Sequence, residues 1–201
     1  MQGFHKKIKL IFTKNGRWLY AIFFIGAIVM FVLFGVLFYL SDILENKYGI
    51  KDLKKGLVLA LPLGALCLSS FITGKVIKKN MVLMKWITFS SLLLLGIAVA
   101  LLSFSRELWF LISMFLVAGI GIGASLPPMD ALITESIEKE ERGTITSIYS
   151  SMRFIGVAAG PPVIALMMEN SNKLMFIILT ALSIAAALAT FLAIKPDKQE
   201  A

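Results

Sequence analysis

Read as apolar against polar positions, the chain is six long apolar runs separated by short charged connections. The runs cover residues 18–40, 56–74, 86–105, 108–129, 143–168 and 174–194. A helix needs about 20 mostly apolar residues to cross the hydrocarbon core of a bilayer. Only helices and closed barrels satisfy their own backbone hydrogen bonds in lipid. These runs are too long and too continuously apolar for barrel strands. The pattern predicts an all-α membrane protein with six transmembrane helices, framed by a leader (1–17) and a tail (195–201).

Composition agrees: 58% of the residues are hydrophobic and only 16% are charged. That is too apolar for a soluble domain of this size. The net charge of +8 does not point to nucleic acid. Its lysines and arginines sit in the connections, where charge sets membrane orientation. One side carries Lys6, Lys7, Lys9, Lys14 and Arg17, then Lys75, Lys78, Lys79 and Lys85, then Lys139 and Arg142, then Lys195 and Lys198. The other has Lys47, Lys51, Lys54 and Lys55, then Arg106 and Lys173, with Asp42, Glu45 and Asp52 as partial balance. The positive-inside rule places the first set, and both termini, in the cytoplasm.

The leader is basic, but the run behind it is too long for the core of a secretory signal and has no small-x-small site at its end. The first run is therefore expected to remain as a span. Within the leader, Phe4, Ile8, Leu10, Ile11 and Phe12 alternate with lysines. This fits either an amphipathic segment on the membrane surface or a disordered basic leader. His5 lies there without a nearby ligand partner. Cys67 has no disulfide or metal partner and is expected as a small packing residue.

The fifth run holds the one charge deep inside any of the six, Arg153. At 100° per residue, Thr146, Tyr149, Arg153, Gly156 and Gly160 share one stripe. Such a stripe is expected to face protein or a water-filled cavity. A central arginine costs about 3 kcal/mol on an insertion scale, an amount of about the same size as the run's Leu, Ile, Phe and Val return. The segment is therefore marginal alone and needs its neighbours. Gly156 and Gly160 offer a surface for close helix approach. Pro161 and Pro162 each remove a helix hydrogen bond, which predicts a kink or an unwound turn.

An intramembrane arginine marks a functional site by default, and its expected partner is Asp130, just after Pro127-Pro128. The pair is read either as a structural tie or as part of a transport cycle. In the same run Gly119-Ile-Gly-Ile-Gly123 puts glycine at every second position, so the helix can flex or pack closely on two sides. It lacks the strand-to-helix setting of a nucleotide loop. No metal cluster, catalytic motif or cofactor fingerprint occurs. Glu135, Glu138, Glu140 and Glu141 form a solvated connection.

Three stretches resemble a known family. They are F-Y-L-S-D-I-L-E-N-K-Y-G-I-K-D-L-K-K-G-L-V-L-A-L-P-L-G-A, F-I-T-G-K-V-I-K-K-N and E-R-G-T-I-T-S-I-Y-S-S-M-R-F-I-G-V-A-A-G-P-P. The chain is similar along its whole length to the C-terminal six helices of twelve-helix major facilitator superfamily transporters, in particular the drug:proton antiporter branch. The connection at 74–80 departs from the family's fuller loop motif by lacking its acidic residue.

The resemblance implies a fold of two inverted three-helix repeats. It also implies residence in the cell membrane, a small-molecule substrate, and efflux by proton antiport once a second six-helix half is present. That half is open between a missing part of the same chain, a separate chain and a second copy. An interaction or regulatory protein without a transport cycle remains the alternative, as does an inactive remnant.

Overall fold

The computed structural model describes residues 2–78 and 80–194, with side chains from Gly16 onward. Among these residues the only regular structure is six helices: α1 (Gln2–Asn46), α2 (Asp52–Ile77), α3 (Met81–Leu101), α4 (Leu108–Ser136), α5 (Lys139–Asn170) and α6 (Asn172–Ala193). All six are long and apolar enough to cross a membrane. Residues 2–15 continue α1 without a break. The expected amphipathic character of the leader and the reading of His5 rest on side chains that precede the described ones, and the 195–201 tail lies outside the described residues.

Short connections alternate the helix directions. One face of the bundle, the first, bears the start of α1, the 78–80 and 137–138 connections and the end of α6. The second face bears the 47–51 and 102–107 connections and Ser171. Side chains cap two helices locally: Asn80 accepts from the Leu83 amide at the start of α3, and Ser171 from the Leu174 amide at the start of α6. Each satisfies one of the amides that a helix N-terminus leaves open.

Packing follows an internal symmetry. α1 packs mainly on α5; α4 packs about equally on α2 and α3; α3 also packs on α6, and α6 on α1. Exchanging α1, α2, α3 with α4, α5, α6 maps this pattern onto itself. That is the expected pair of three-helix repeats. The repeat is also present in the residues. Gly35-x6-Asp42-x-Leu44 ends α1, and Gly123-x6-Asp130-x-Leu132 ends α4. Both leucines are buried, and each glycine faces the second helix of the other repeat, Gly35 at Ile164 and Gly123 at Leu66.

Glycine makes the helix contacts close. A β-carbon on Gly160 would lie 2.9 Å from the Phe31 carbonyl oxygen and 3.1 Å from the Gly35 amide. One on Gly156 would collide with the Ala27 carbonyl. In α4, Gly119 and Gly123 press on the α2 backbone at Pro62 and Leu66, while Gly121 meets α3 at Ser91 and Leu95. The alternate glycines thus serve two neighbours at once. With no hydrophobic drive between helices in lipid, this proximity supplies the van der Waals gain.

Two expectations are corrected. Of the kink or unwound turn expected at Pro161-Pro162, the unwound turn does not occur: α5 runs through both, as α4 runs through Pro127-Pro128. Gly156 and Gly160 hold α5 against α1 up to the prolines, and Ile164 packs against Gly35 beyond them, so the segment stays helical despite two missing donors. Cys67 is exposed and not a packing residue. It lies on α2, which along with α5 buries the least of its surface.

The glycine contacts generate a contrast. Gly156→Ala is expected to lose about 1–3 kcal/mol of stability in nanodiscs, the usual cost of overpacking. Gly64, in α2 with nothing near its α-carbon, should accept alanine at no loss or with a gain of up to about 1 kcal/mol. Thermal unfolding followed by circular dichroism checks both, and equal midpoints for the two variants would contradict the packing account.

Candidate functional site

The buried line of α5 is Ile145, Tyr149, Gly156, Gly160 and Ile164. Arg153 lies beside it and is half-buried, its side chain 26% exposed. Thr146 of the expected stripe is not covered by the bundle. It is exposed, as it would be on a face turned to a cavity. Pro162 is also exposed, and Pro161 only partly covered.

Arg153 Nη1 stands 3.6 Å from Asp130 Oδ1. This is a single contact between α5 and α4, made where those two helices otherwise touch little. The Asp130 side chain is 54% exposed, so one oxygen remains open to whatever occupies the space beside α4. The Thr134 hydroxyl bonds to the Asp130 carbonyl oxygen at 2.7 Å, which leaves the carboxylate itself uncommitted to its own helix.

Tyr149 completes the group. It is 2% exposed, with the Arg153 guanidinium 5.5 Å from its ring centre. Phe23 of α1 stacks on its other side at 6.3 Å and 26°. Its hydroxyl is buried beside the ion pair, near both charges but without a full hydrogen bond to either. Gly26 of α1 makes the room. A β-carbon there would lie 2.5 Å from the Tyr149 ring and 3.2 Å from Arg153 Cγ. α1 therefore sets the position of both side chains.

Of the residues expected from sequence, Asp130, Tyr149 and Arg153 come together, and Gly156 and Gly160 carry the contact that positions them. Gly119 and Gly123 support α4 from behind, and Thr146 takes no part. Sequence reasoning misses Phe23 and Gly26. Nothing distinguishes Phe23 among the phenylalanines of α1, and Gly26 has no glycine partner at a packing interval. No group of three or more His, Cys, Asp or Glu that could hold a metal ion occurs among the described residues.

Six spans in two three-helix repeats, with a half-open ion pair between α4 and α5, have the architecture that the resemblance to a transporter half implies. The chain belongs to the Major Facilitator Superfamily, with residues 22–201 matching the family. It is 49% identical over 197 residues to the bacillibactin exporter of Bacillus subtilis (strain 168). The match covers 98% of this chain and 49% of that protein, so the chain spans about half the length of the curated relative it matches.

A double-mutant cycle tests the contact. Asp130→Asn and Arg153→Gln should each destabilise the chain in nanodiscs, and the double variant should lose less than the sum, by at least about 0.5 kcal/mol. The 3.6 Å single contact and the exposure of Asp130 keep the coupling toward the small end. Strictly additive losses would mean that the two charges do not interact.

Proposed function

We propose that this chain is one six-helix half, of the C-terminal kind, of a secondary active exporter. It moves a small molecule out of the cell by proton antiport, and it works with a second six-helix half. The observation that carries this reading is 49% identity along nearly the whole chain to half of a bacillibactin exporter. The cargo is accordingly a drug-sized organic molecule, bacillibactin among those to be tried. The membrane is the plasma membrane, and the first face, richer in lysine and arginine, is cytoplasmic.

Two features support the need for a second half. α2 and α5 occupy equivalent places in the two repeats and are the least covered helices. Leu57, Leu61 and Leu68 of α2 and Phe154 and Ile155 of α5 are exposed. A second bundle seated on these two helices would enclose a path beside α1 and α4. In that path Asp130 is the group that exchanges a proton with water, and Arg153 is its counter-ion. Neutralising Asp130 frees Arg153, so the charge state of the pair and the position of α4 change together. Tyr149, held by Gly26 and Phe23, keeps the arginine in place.

Efflux decides the matter. Cells lacking their own exporters, expressing this chain with a matching six-helix half, should expel bacillibactin or a fluorescent drug faster than cells with either half alone. A protonophore should abolish the difference. Absence of efflux for every cargo tried, with no complex formed between the halves, would remove the transport reading in favour of an interaction protein.

A further inference from the structure

Near the first face, three aromatic side chains close the seam between α3 and α6. Trp86 and Phe89 of α3 stand edge to face at 5.8 Å, and Phe191 of α6 meets them at 6.2 Å and 5.6 Å. Lys85 joins this group. It is partly buried, and its ammonium stands over the Phe191 ring, 5.1 Å from the centre. A cation gains from the face of a ring, but a ring carries no charge to neutralise it. The protein supplies none here either. Neither α3 nor α6 contains an aspartate or a glutamate. The connection before α3 reads Lys78-Lys79-Asn80. Among the described residues Lys85 has no ion pair.

The seam is also a part of the bundle that stays against lipid. α3 and α6 pack on each other and on α4 and α1, with little contact to α2 or α5. A second half seated on α2 and α5 would leave the seam open to the bilayer. Lys85 lies one turn beyond Met81, where α3 starts, about 6 Å along the helix at 1.5 Å per residue. That is about the thickness of a headgroup layer, roughly 5–7 Å on each side of the hydrocarbon core. A lysine near the end of a spanning helix ordinarily extends its ammonium to water. Lys85 instead reaches across the seam to α6, beside rings of low polarity, where an answering charge counts for more than in water.

We propose that the α3–α6 seam at the first face is a binding site for phosphatidylglycerol. The Lys85 ammonium holds the phosphate. The indole N–H of Trp86, which makes no hydrogen bond among the described residues, is a second donor to it. Phe191, Leu188 and Ile184 form one exposed stripe of α6 at spacings of three and four, and the acyl chains lie along it. The headgroup is anionic because the site has a cation and no carboxylate. A zwitterionic headgroup would bring a second ammonium with nothing to receive it. Binding there does not depend on transport.

The chain has three tryptophans, so Trp18→Phe with Trp109→Phe leaves Trp86 as the one fluorophore of the seam. The full chain is placed in phosphatidylcholine bilayers that contain a minor fraction of bromine-labelled phosphatidylglycerol or, in parallel, bromine-labelled phosphatidylcholine. Bromine quenches tryptophan on contact. Phosphatidylglycerol should quench Trp86 with an affinity at least about fivefold above that of phosphatidylcholine, the worth of one lysine at an anionic surface. Lys85→Gln should remove the preference and Lys85→Arg should keep it. Lys139→Gln, the same loss of charge on the same face but at the start of α5, should leave it unchanged. With all three tryptophans kept, the difference between the unaltered chain and Lys85→Gln gives the same reading. Equal quenching by the two lipids with Lys85 intact would overturn the proposal. So would quenching by neither, which would put protein in the seam, and so would a preference that survives Lys85→Gln or falls as far in Lys139→Gln.

Discussion

An arginine within an apolar helix has to be met by protein, and most of this structure follows from how Arg153 is met. Its charge is answered by Asp130 of α4 and its cation face by the Tyr149 ring. Both answers depend on α5 lying so close to α1 that the backbone at Ala27, Phe31 and Gly35 leaves no room for a β-carbon on Gly156 or Gly160. The same closeness turns Gly26 toward Tyr149 and Arg153 and leaves them one place to go. A site held in this way has little freedom along α5 and considerable freedom toward α4, where a single 3.6 Å contact spans the seam. Uneven packing of this kind is what a moving part requires: one rigid wall, and one wall tied to it by charges that water or a proton can loosen.

The inverted repeat gives that unevenness a direction. Equivalent helices make equivalent contacts, so whatever happens at one face has a counterpart at the other. In the structure the counterparts are not in the same condition. Asp130 is ion-paired with Arg153, whereas Asp42 borders a cavity and accepts a hydrogen bond from Asn46. The chain belongs to the Major Facilitator Superfamily, and α2 and α5, its least covered helices, are the ones on which the proposed second half would sit.

Much of the architecture is legible in the residues. The six runs give six helices because lipid leaves a backbone no other option, and Arg153 announces a partner because charge in hydrocarbon is costly. Glycine spacing locates the close contacts in α4 and α5. Other features need three dimensions. Pro161 and Pro162 read as a break, yet tertiary packing on α1 carries the helix through them. Thr146 is exposed, and whether that side meets a cavity is not written in a helical wheel. Cys67 reads as interior because its run is apolar throughout, and an apolar run does not say which side faces protein. Phe23 and Gly26 carry no signal at all, since their role exists only once α5 is laid against α1. The Gly-x6-Asp-x-Leu repeat is present in the sequence, but its meaning comes from the contacts that show α1 and α4 to be equivalent.

The central claim is that the charge contact between α4 and α5 is part of the transport cycle and not a tie alone. Exchanging the charges, Asp130→Arg with Arg153→Asp, tests it most directly in the chain assembled with its second half. A mere tie survives the exchange, because opposite charges still meet. A transport element does not, because the carboxylate is moved off α4 and behind Tyr149. The account predicts a folded, paired variant of near-normal stability whose efflux falls at least about tenfold, the loss of about 1.4 kcal/mol in the limiting step. Normal efflux from the exchanged pair would contradict it.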